Sequence, residues 1–558
     1  CAYKRQILDN VMDGEERFSM LNEIGDIWSE KEKNVGKAIE TLEEALDLKP
    51  DNHVLLHKLL QLYQAAKNFE RMIETIQRIA DLEPNPERKA RYLYTMAQLH
   101  RDRQELDRAV ELFNEALDLN PDFLEAFERI NKILTGQKDW KQLERSFRKM
   151  IHRVAGKGKS DLEYNLWHNL GIIYRDRLKE PDAAIESFKM ASRLKPDEVM
   201  ERQILAELYE TANQLDLAIE EQQEILRRDP TQVAPYRALY TLFYNKQAFD
   251  EAWCMCAALA FLRRADEDQQ KYFEDYRPKG IPAARNRLDN EMWVKHLFHR
   301  DEDIYVGKIF EMLTGAALQA KIQKLAAAKQ LPVLDKRYKQ EPHSTTVTFA
   351  KTFFHVAKVE GVAPPELYVR NDIQGGLIAA PAIPYASVAG QSVLSGFTPH
   401  ELAFIVGKHL AMYRGEHYIR NLFPTTSELT QLFFAGLRMV VADAPVPPEA
   451  AASIDTTAKA LAPLMQPTAQ EGLRHVARKF METKGAINIK RWVQATELSG
   501  CRAGFLMCGD LEIAKKVLLM EPQLPGDISP QEKLTELIVF SVSPDYFALR
   551  KALGFAIA

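Results

Sequence analysis

Apolar residues in the first half of the chain recur three and four positions apart, in short segments separated by turns. The segment WHNLGIIY shows the pattern most fully, because it places Trp167, Leu170, Gly171 and Tyr174 at the spacing W-x2-L-G-x2-Y. Apolar positions at this spacing share one face of a helix. The downstream part of the same unit carries small and apolar residues and ends in a proline: Ala184, Phe188, Ala191 and Pro196. The unit therefore predicts two helices that touch through small residues.

The unit repeats along the chain with a fixed period. Pro50 and Pro84 are 34 residues apart, and so are Pro196 and Pro230. This period and the signature above resemble the tetratricopeptide repeat. About seven copies can be traced: Gly25–Pro50, Leu60–Pro84, Ala97–Pro121, Leu124–Lys159, Trp167–Pro196, Ala206–Pro230 and Val233–Arg264.

The resemblance implies a right-handed α-solenoid over residues 1–265, because stacked helix pairs bury an apolar face that one pair cannot bury alone. The first helix of each pair then lines a concave groove that receives a peptide or a partner helix. The groove positions, counted from the signature, are His57, Gln61, Tyr94, Gln98, Arg101, Asn165, His168, Arg175, Gln203, Glu207 and Arg237. Their charges are mixed, so they predict a protein or peptide partner without fixing its charge. Any one of them can equally be an ordinary solvated side chain.

Helical patterning continues over residues 266–343, but the repeat spacing is lost there. The segment KIFEMLTGAALQAKIQKLAAAK predicts an amphipathic helix. The segment HLFHRDED, with His296 and His299, has a metal-like composition, although solvated carboxylates on a turn are its more ordinary interpretation. We interpret residues 266–343 as a helical linker.

Just before this linker, Cys254 and Cys256 point in different directions on a helix and are predicted to be core thiols.

From residue 344 onward, the predicted elements include a strand as well as helices. The segment ELYVR, Glu366–Arg370, predicts a short strand, and a stretch rich in Gly, Ala and Pro follows it. A long helix comes next. Thr398 is its predicted N-cap, Pro399 its first residue, and Glu401 completes a capping box. A further helix is predicted in ATELSGCRAGFLMCGDLEIAKKVL.

This order of elements resembles the M48 family of zinc metallopeptidases. In that family, a lead-in containing Thr and Glu-Leu precedes the zinc motif HExxH, and a later helix supplies a Glu as the third zinc ligand. The frame from Phe397 to Gly407 matches the lead-in, and the resemblance covers roughly residues 351–519. It implies an α+β domain with a small sheet over residues 344–558, in a chain that is mainly α.

The resemblance puts Lys408, His409 and Met412 at the three motif positions and Glu497 at the third ligand. An ammonium and a thioether cannot replace two imidazoles, and Lys408 would repel a cation. We therefore predict a pseudo-peptidase domain with no catalytic residues, no bound metal and no cofactor. We also expect Lys408 to form an ion pair with Glu497 at the position of the missing zinc.

The sequence gives only weak evidence for other kinds of catalytic site. Ser387, Ser392 and Ser395 precede His400, but the sequence has no G-x-S-x-G elbow and no evident acid partner for them. No phosphate-binding glycine motif is present. Cys501 and Cys508 fall on one helix face and are interpreted as core thiols.

Composition excludes several classes of protein. The chain carries 74 Lys and Arg against 79 Asp and Glu, a net charge of −5, so it lacks the basic excess of a nucleic-acid binder. No apolar stretch reaches the ~18 residues that a membrane span requires. Five Cys in 558 residues fit a reducing cytoplasm. The sequence starts at Cys1 with the helical pattern already running, so we expect a piece of a longer chain; a lipidated terminal cysteine is the alternative.

Together these features predict a non-enzymatic, cytoplasmic scaffold of bacterial type that binds a protein or peptide partner and can form oligomers. Two alternatives stay open. The first is a zinc peptidase with displaced ligands drawn from His409, His417 and Glu497. The second is an obligate structural component of a larger bacterial assembly, such as a secretion, motility or defence system.

Overall fold

A computed structural model gives the fold and describes residues 2–8, 11–441, 444–483, 487–523 and 527–557. Cys1, on which the lipidation alternative rests, lies outside the described residues. The chain divides into two compact units, Cys1–Gln214 and Leu215–Ala558. Both units are mostly helical.

The first unit is built from a succession of short helices. They are α1 Ala2–Leu8, α2 Gly14–Asp26, α3 Val35–Leu48, α4 His53–Ala65, α5 Phe69–Leu82, α6 Pro86–Asp102, α7 Leu106–Leu119, α8 Leu124–Gln137, α9 Trp140–Val154, α10 Ser160–Ile172, α11 Pro181–Leu194 and α12 Val199–Thr211. Helices α2 and α10 continue into π-helical turns at Ile27–Lys31 and Ile173–Leu178. Several helices start at an asparagine whose side chain accepts a hydrogen bond from the first helical turn: Asn34, Asn52, Asn68 and Asn85.

Consecutive helices of this unit pack as pairs, from α2 with α3 to α10 with α11. Small residues make the contact possible. A Cβ atom on Gly171 would lie 2.8 Å from the Phe188 ring, and one on Gly25 would lie 2.3 Å from a methyl carbon of Leu42. The prediction that the two helices of a pair touch through small residues is confirmed.

The second unit starts with α13 Leu215–Arg228, α14 Val233–Asn245, α15 Phe249–Phe261 and α16 Glu267–Tyr276. Helix α16 starts 34 residues after α14. It packs on α15, where the Trp253 indole N–H donates to the Phe273 carbonyl oxygen over 3.1 Å. Helix α16 therefore takes the place of the first helix of an additional pair.

The remaining helices are α17 Asn290–Met292, with a π-helical turn at Trp293–Leu297, α18 Ile304–Ala327, α19 Thr348–Glu360, α20 Gln391–Leu394, α21 Pro399–Ala411, α22 Ile419–Leu422, α23 Thr426–Val440, α24 Ala451–Leu461, α25 Pro467–Glu482, α26 Ile489–Cys508, α27 Leu511–Met520, α28 Pro530–Ser541 and α29 Pro544–Leu553. The strands are β1 Lys339–Gln340, β2 Glu366–Arg370, β3 Leu377–Ala380 and β4 Ala386–Gly390. The strand predicted at ELYVR is confirmed.

The four strands form one small mixed sheet in the order β1-β2-β4-β3. Strands β2 and β4 are parallel, with Glu366 opposite Ala386, and β1 and β3 pair antiparallel on the two edges. Strand β4 is buried along its whole length and leads through α20 into α21. The sheet thereby fixes the start of the helix that carries residues 408–412.

The helix predicted in KIFEMLTGAALQAKIQKLAAAK is present as α18, but its buried face is wider than the single stripe of an amphipathic helix. From Val306 to Leu318 its buried residues cover more than half of its circumference. It packs against α22, α23 and α25, so it belongs to the core of the second unit. The limits predicted for a linker, residues 266 and 343, stay predictions.

The seventh helix pair is tied to the C-terminal helices by a buried ion pair. Arg550 on α29 donates to Asp250 on α15 over 2.7 Å, and both side chains are almost fully buried. The rings of Phe243 and Phe547 also meet, with centroids 5.7 Å apart. These contacts explain why α14 and α15 fall in the second compact unit and not in the first.

Candidate functional site

Helix α21 starts at the capping box expected from the sequence. The Thr398 hydroxyl accepts from the Glu401 N–H over 3.3 Å, and the Glu401 carboxylate accepts from the Thr398 N–H over 2.7 Å. Pro399 takes the first helical position. The other Glu401 oxygen pairs with Lys516 on α27. The capping box is confirmed, and it also anchors α21 to α27.

Helices α21 and α26 cross in close contact through glycines. A Cβ atom on Gly504 would lie 2.5 Å from the Phe404 carbonyl oxygen, which is closer than any side chain tolerates. At Gly500 a Cβ atom would lie 3.0 Å from the terminal methyl of Met412. This crossing brings Lys408 on α21 against Glu497 on α26.

Five charged side chains meet at this crossing, and we call them the ion network: Lys408, Arg420, Glu497, Glu521 and Lys533. Lys408 Nζ lies 2.7 Å from Glu497 Oε1 and 2.6 Å from Glu521 Oε1. Lys533 bridges the same two carboxylates at 2.8 and 3.0 Å, and Arg420 reaches Glu497 at 3.4 Å. Each side chain is 22% exposed or less. The predicted pair of Lys408 with Glu497 is confirmed.

The electrostatics of the ion network favour its charged form. Burial by itself disfavours the Lys408 ammonium, but the negative charges of Glu497 and Glu521 raise the pKa of Lys408 well above its ordinary value. Burial likewise disfavours the Glu497 carboxylate, but Lys408, Arg420 and Lys533 hold the pKa of Glu497 well below its ordinary value. Buried charges are stable only when they are compensated in this way.

The three positions that the metallopeptidase resemblance assigns to zinc ligands lie together. Arg420 links them, since one guanidinium nitrogen is 3.8 Å from Met412 Sδ and 3.4 Å from Glu497. Glu497 in turn contacts Lys408. The donor set at these positions is an ammonium, a thioether and a carboxylate, which does not suit zinc.

His409, at the motif position of the general base, points to the sheet. Its Nε2 lies 2.9 Å from the Ser387 hydroxyl, and that hydroxyl lies 2.7 Å from the Tyr413 hydroxyl, which donates to the Ala386 carbonyl oxygen. Burial lowers the pKa of His409 to about 3, so the ring is neutral. Ser387 is fully buried and so cannot reach an external substrate. The sequence placed Ser387 near His400, but its partner is His409.

The residues of the HLFHRDED segment have separate partners. His296 pairs with Asp545 at 2.8 Å, and the His299 imidazole lies 3.6 Å from Glu536. The acidic residues are equally dispersed: Asp301 pairs with Arg491, Glu302 with His417, and Asp303 caps α18. Among the described residues, no group of three or more His, Cys, Asp and Glu is arranged to hold a metal ion.

The cysteine predictions are confirmed for the four described cysteines. Cys254, Cys256, Cys501 and Cys508 are free and buried. Burial raises the pKa of Cys256, Cys501 and Cys508 each to about 12. These thiols are core residues that stay protonated at physiological pH.

The predicted groove residues all fall on first helices of the pairs or on the π-helical turn after α10, and in the first unit five of the ten are exposed. His57, Gln61 and Asn165 are exposed, as are Gln203 and Glu207 on α12. Four others are partly buried: Gln98, Arg101, His168 and Arg175. His168, for example, lies 3.0 Å from the buried Glu201 carboxylate.

Tyr94 is the exception among the predicted groove residues. It is only 8% exposed, its hydroxyl donates to Glu125 over 2.6 Å, and its ring packs against Phe113 and Phe123. Its place in the groove stays a prediction, while the contacts described here engage both its hydroxyl and its ring. In the second unit, Arg237 on α14 is exposed and donates to the Arg264 carbonyl oxygen over 3.0 Å.

Sequence reasoning did not identify Arg420, Glu521 or Lys533 as partners of Lys408. Lys533 carries a local signal, because it shares the buried stripe of α28 with Leu537 and Phe540 at a spacing of four and three. A lysine on an apolar stripe needs a buried counter-charge. Arg420 and Glu521 carry no comparable signal.

Comparisons with known proteins agree with the repeat assignment. Residues 30–231 match the family model described as Tetratricopeptide repeat. This match confirms the repeats predicted over that range. No curated protein matches the chain. No helix in the described parts of the chain combines the length and apolarity needed to cross a membrane.

Several solved structures are similar to this chain at low identity. The hetero-tetramer Cut9-Hcn1 of APC/C is 16% identical with a TM-score of 0.20, and the alignment covers 43% of this chain and 45% of that one. The chain thus spans less than half of that structure. The C-terminal part of a TPR repeat-containing protein from Cytophaga hutchinsonii is 13% identical, with a TM-score of 0.25 and coverage of 45% and 98%. YrrB, described as a TPR protein with an unusual peptide-binding site, is 13% identical, with a TM-score of 0.21 and coverage of 36% and 98%.

Proposed function

We propose that this protein is a non-enzymatic scaffold that binds protein partners on the first helices of its repeat pairs. The exposed polar residues on α4, α10 and α12 support a peptide- or helix-binding surface, because stacked pairs present such residues side by side. These residues are mostly uncharged, so they do not select a partner by its charge.

The C-terminal part of the second unit is, in this proposal, a metallopeptidase-like domain that no longer binds zinc. The observation that carries this is the ion network. Lys408 and Lys533 supply the positive charges that a metal would supply, and they hold Glu497 and Glu521 between α21, α26 and α28. Cross-linking of helices replaces catalysis, so the domain serves as a rigid docking or packing element.

The test restores two zinc ligands. In the double variant Lys408→His/Met412→His, two imidazoles on α21 join Glu497 of α26. We expect the natural protein, purified without chelator or immobilised nickel, to contain less than about 0.1 zinc per chain by plasma mass spectrometry. The double variant should bind close to one zinc per chain, and zinc should raise its melting temperature.

The control is the same double variant with Glu497→Gln, which removes the third ligand and should weaken zinc binding at least about tenfold. Absence of zinc from a folded double variant would show that these positions do not form an ancestral metal site. Stoichiometric zinc in the natural protein would instead favour the peptidase with displaced ligands, and peptide hydrolysis would then be assayed.

The binding function is tested separately. Asn165→Glu/Gln203→Glu alters two exposed first-helix positions, and Lys149→Glu alters an exposed residue on the second helix α9. In-cell cross-linking followed by mass spectrometry should show partners that are lost with the double variant and kept with Lys149→Glu. A cross-link pattern that is identical for all three proteins would contradict binding at this surface.

A further inference from the structure

A cavity of about 160 Å³ lies within the second unit, and we call it the junction cavity. Helices α15 and α16 form one side of its wall, and α26, α28, α29 and the start of α27 form the other. Protein interiors are close-packed and contain few voids larger than a water molecule. A cavity of this volume is several times the ~30 Å³ that one water occupies, so it has room for a ligand.

The inner wall of the junction cavity is aromatic. Trp253, Phe505 and Tyr546 line it, and each is only 2% exposed. The rings of Phe505 and Tyr546 stack with centroids 5.0 Å apart, and Trp253 stacks on Phe273 at 6.0 Å. Rings on several sides favour a further ring, because offset and edge-to-face contacts add to the gain from burial. An apolar cavity of about 150 Å³ holds one benzene molecule, so a single ring fits here.

The charges around the inner wall are already compensated. Arg277 donates to Asp510 over 2.6 and 2.8 Å, which links the two sides of the wall. Arg550, behind the aromatic rings, pairs with Asp250 at 2.7 Å. The Cys254 thiol also lines the cavity and is neutral, because burial raises the pKa of Cys254 well above its ordinary value. A charged ligand would lose its hydration without gaining a counter-charge, so the inner wall favours a neutral one.

The outer edge of the junction cavity carries charges of both signs. Glu512 lines this edge, but its side chain is exposed and its charge is solvated. Lys515 supplies the opposite charge nearby, with its Nζ 5.5 Å from the ring of Phe261, which also lines the cavity. The edge therefore gives neither an anion nor a cation a clear advantage.

One hydroxyl gives the cavity a polar preference. Ser541 lines the wall and is 4% exposed. Its hydroxyl donates to the Ile538 carbonyl oxygen over 2.7 Å, so toward another molecule it can only accept a hydrogen bond. A ligand that carries an O–H or N–H donor satisfies this hydroxyl, whereas a pure hydrocarbon does not.

We propose that the junction cavity binds a small, neutral aromatic compound of one ring that carries a hydrogen-bond donor, with a phenol as the simplest member. This inference goes beyond the proposed scaffold function and does not depend on it. The bound ring contacts α15 and α16 on one side and the C-terminal helices on the other, so the ligand stabilises the packing of these two groups of helices.

The experiment measures binding of fluorinated probes to the full chain by fluorine NMR. The test probe is para-fluorophenol. The controls are para-fluorotoluene, which lacks the donor, difluorocyclohexanol, which lacks the aromatic ring, and the charged para-fluorobenzoate and para-fluorobenzylamine. We expect para-fluorophenol to bind with a Kd below about 1 mM, para-fluorotoluene to bind about threefold more weakly, and the other three at least about tenfold more weakly.

Variants then locate the site. Ala257→Leu and Ala260→Leu each place a larger side chain in the wall and should weaken binding of para-fluorophenol at least about tenfold. Ser541→Ala should abolish the preference for para-fluorophenol over para-fluorotoluene. The matched control is Ala183→Leu, at a partly buried alanine on α11 of the first unit, which should leave binding unchanged. Circular dichroism shows which variants are folded, and the two cavity-filling variants are independent of each other.

Hydrogen exchange gives a second measure of location. With para-fluorophenol at about ten times its Kd, amides of α15 and α16 that open together with the cavity should exchange about tenfold more slowly. Unchanged exchange in α15 and α16 despite measured binding would place the ligand elsewhere and overturn the proposal.

Several other results would overturn it as well. They are no binding of para-fluorophenol up to about 10 mM, tighter binding of either charged probe, and binding that survives both cavity-filling variants in folded protein. Competition by N-acetyltyrosinamide that is stronger than competition by para-cresol would assign the cavity to a tyrosine side chain of a partner, and not to a free compound. None of these results bears on the cross-linking test of the scaffold function, so the two proposals fail separately.

Discussion

Lys408 lies at the crossing of helices α21 and α26, between the carboxylates of Glu497 and Glu521. It contacts Glu497 at 2.7 Å and Glu521 at 2.6 Å, with only 16% of its side chain exposed. Together with Lys533 and Arg420, this buried ammonium compensates the charge of the two carboxylates. The same residue thus links α21 to α26 at their crossing.

Removal of Lys408 should destabilise the protein strongly. Lys408→Ala leaves two carboxylates with one fewer cation, and breaking a buried pair costs about 3–5 kcal/mol of unfolding free energy. Urea unfolding followed by tryptophan fluorescence measures the change. Lys149→Ala, at an exposed position on α9, should change it by less than about 0.5 kcal/mol. A comparable loss in both variants would contradict a specific role for the ion network.

The ion network should also set the pH range of its own contribution to stability. The pKa of Glu497 is depressed in the folded state, so its contribution is present above its ordinary value of 4.5 and is lost as pH falls through the lower folded value. The pKa of Lys408 is raised, so its contribution is present below 10.5 and is lost as pH rises through the higher folded value.

A matched variant isolates the acid side of this range. Glu497→Gln cannot titrate, so the natural protein should be more stable than this variant at pH 7, and the difference should shrink below pH 4.5. Urea midpoints from pH 3 to pH 7 measure it. A difference that stays constant over this range would show that the charge of Glu497 does not contribute.

At the scale of elements, the crossing of α21 with α26 depends on glycine. Gly504 faces the Phe404 carbonyl oxygen so closely that a Cβ atom would lie 2.5 Å from it. The neighbour is backbone and cannot rotate away, so the helices themselves must separate. Helix pairs of the first unit use the same device at Gly25 and Gly171, although there the neighbours are side chains.

Gly504→Ala should therefore destabilise the second unit by about 1–3 kcal/mol through overpacking. Gly315→Ala on α18 is the matched control, because a Cβ atom there meets nothing within 4 Å. That substitution should stabilise the helix by roughly 0.5–1 kcal/mol. Thermal unfolding of both variants gives the comparison. Similar shifts for the two would show that the close crossing does not limit residue size.

At the scale of the whole molecule, the division into units does not follow the repeat pattern. The seventh pair, α14 and α15, is built like the others, yet the Arg550–Asp250 ion pair and the Phe243–Phe547 contact tie it to α29. Buried tertiary contacts outweigh the similarity of the repeats in deciding which helices pack into one compact unit.

Loss of Arg550 should weaken the packing of helices α14 and α15 against α29. Arg550→Ala leaves Asp250 buried without its cation, so hydrogen exchange of α14, α15 and α16 should accelerate at least about tenfold, corresponding to more than about 1.4 kcal/mol of local stability. Arg277→Ala, which removes a half-exposed partner of Asp510, should have a smaller effect. Unchanged exchange in α14 after Arg550→Ala would show that other contacts hold the pair.

Much of the local structure could be predicted because it depends on nearby residues. The helix pairs follow from a 34-residue period, and the capping box of α21 follows from Thr398 and Glu401 alone. The pair of Lys408 with Glu497 could be predicted from the position of each residue in a family frame. Arg420, Glu521 and Lys533 could not, because no spacing along the chain reveals which charges share one buried space.

The sequence by itself determined the repeats and the strand at Glu366–Arg370, since each of these depends on residue type and local spacing. Only the tertiary structure decided that Tyr94 is buried, that α16 packs on α15, and that five charges converge on one crossing. The physical reason is that burial and ion pairing depend on distances between segments far apart in sequence, and those distances are set by packing of the folded chain.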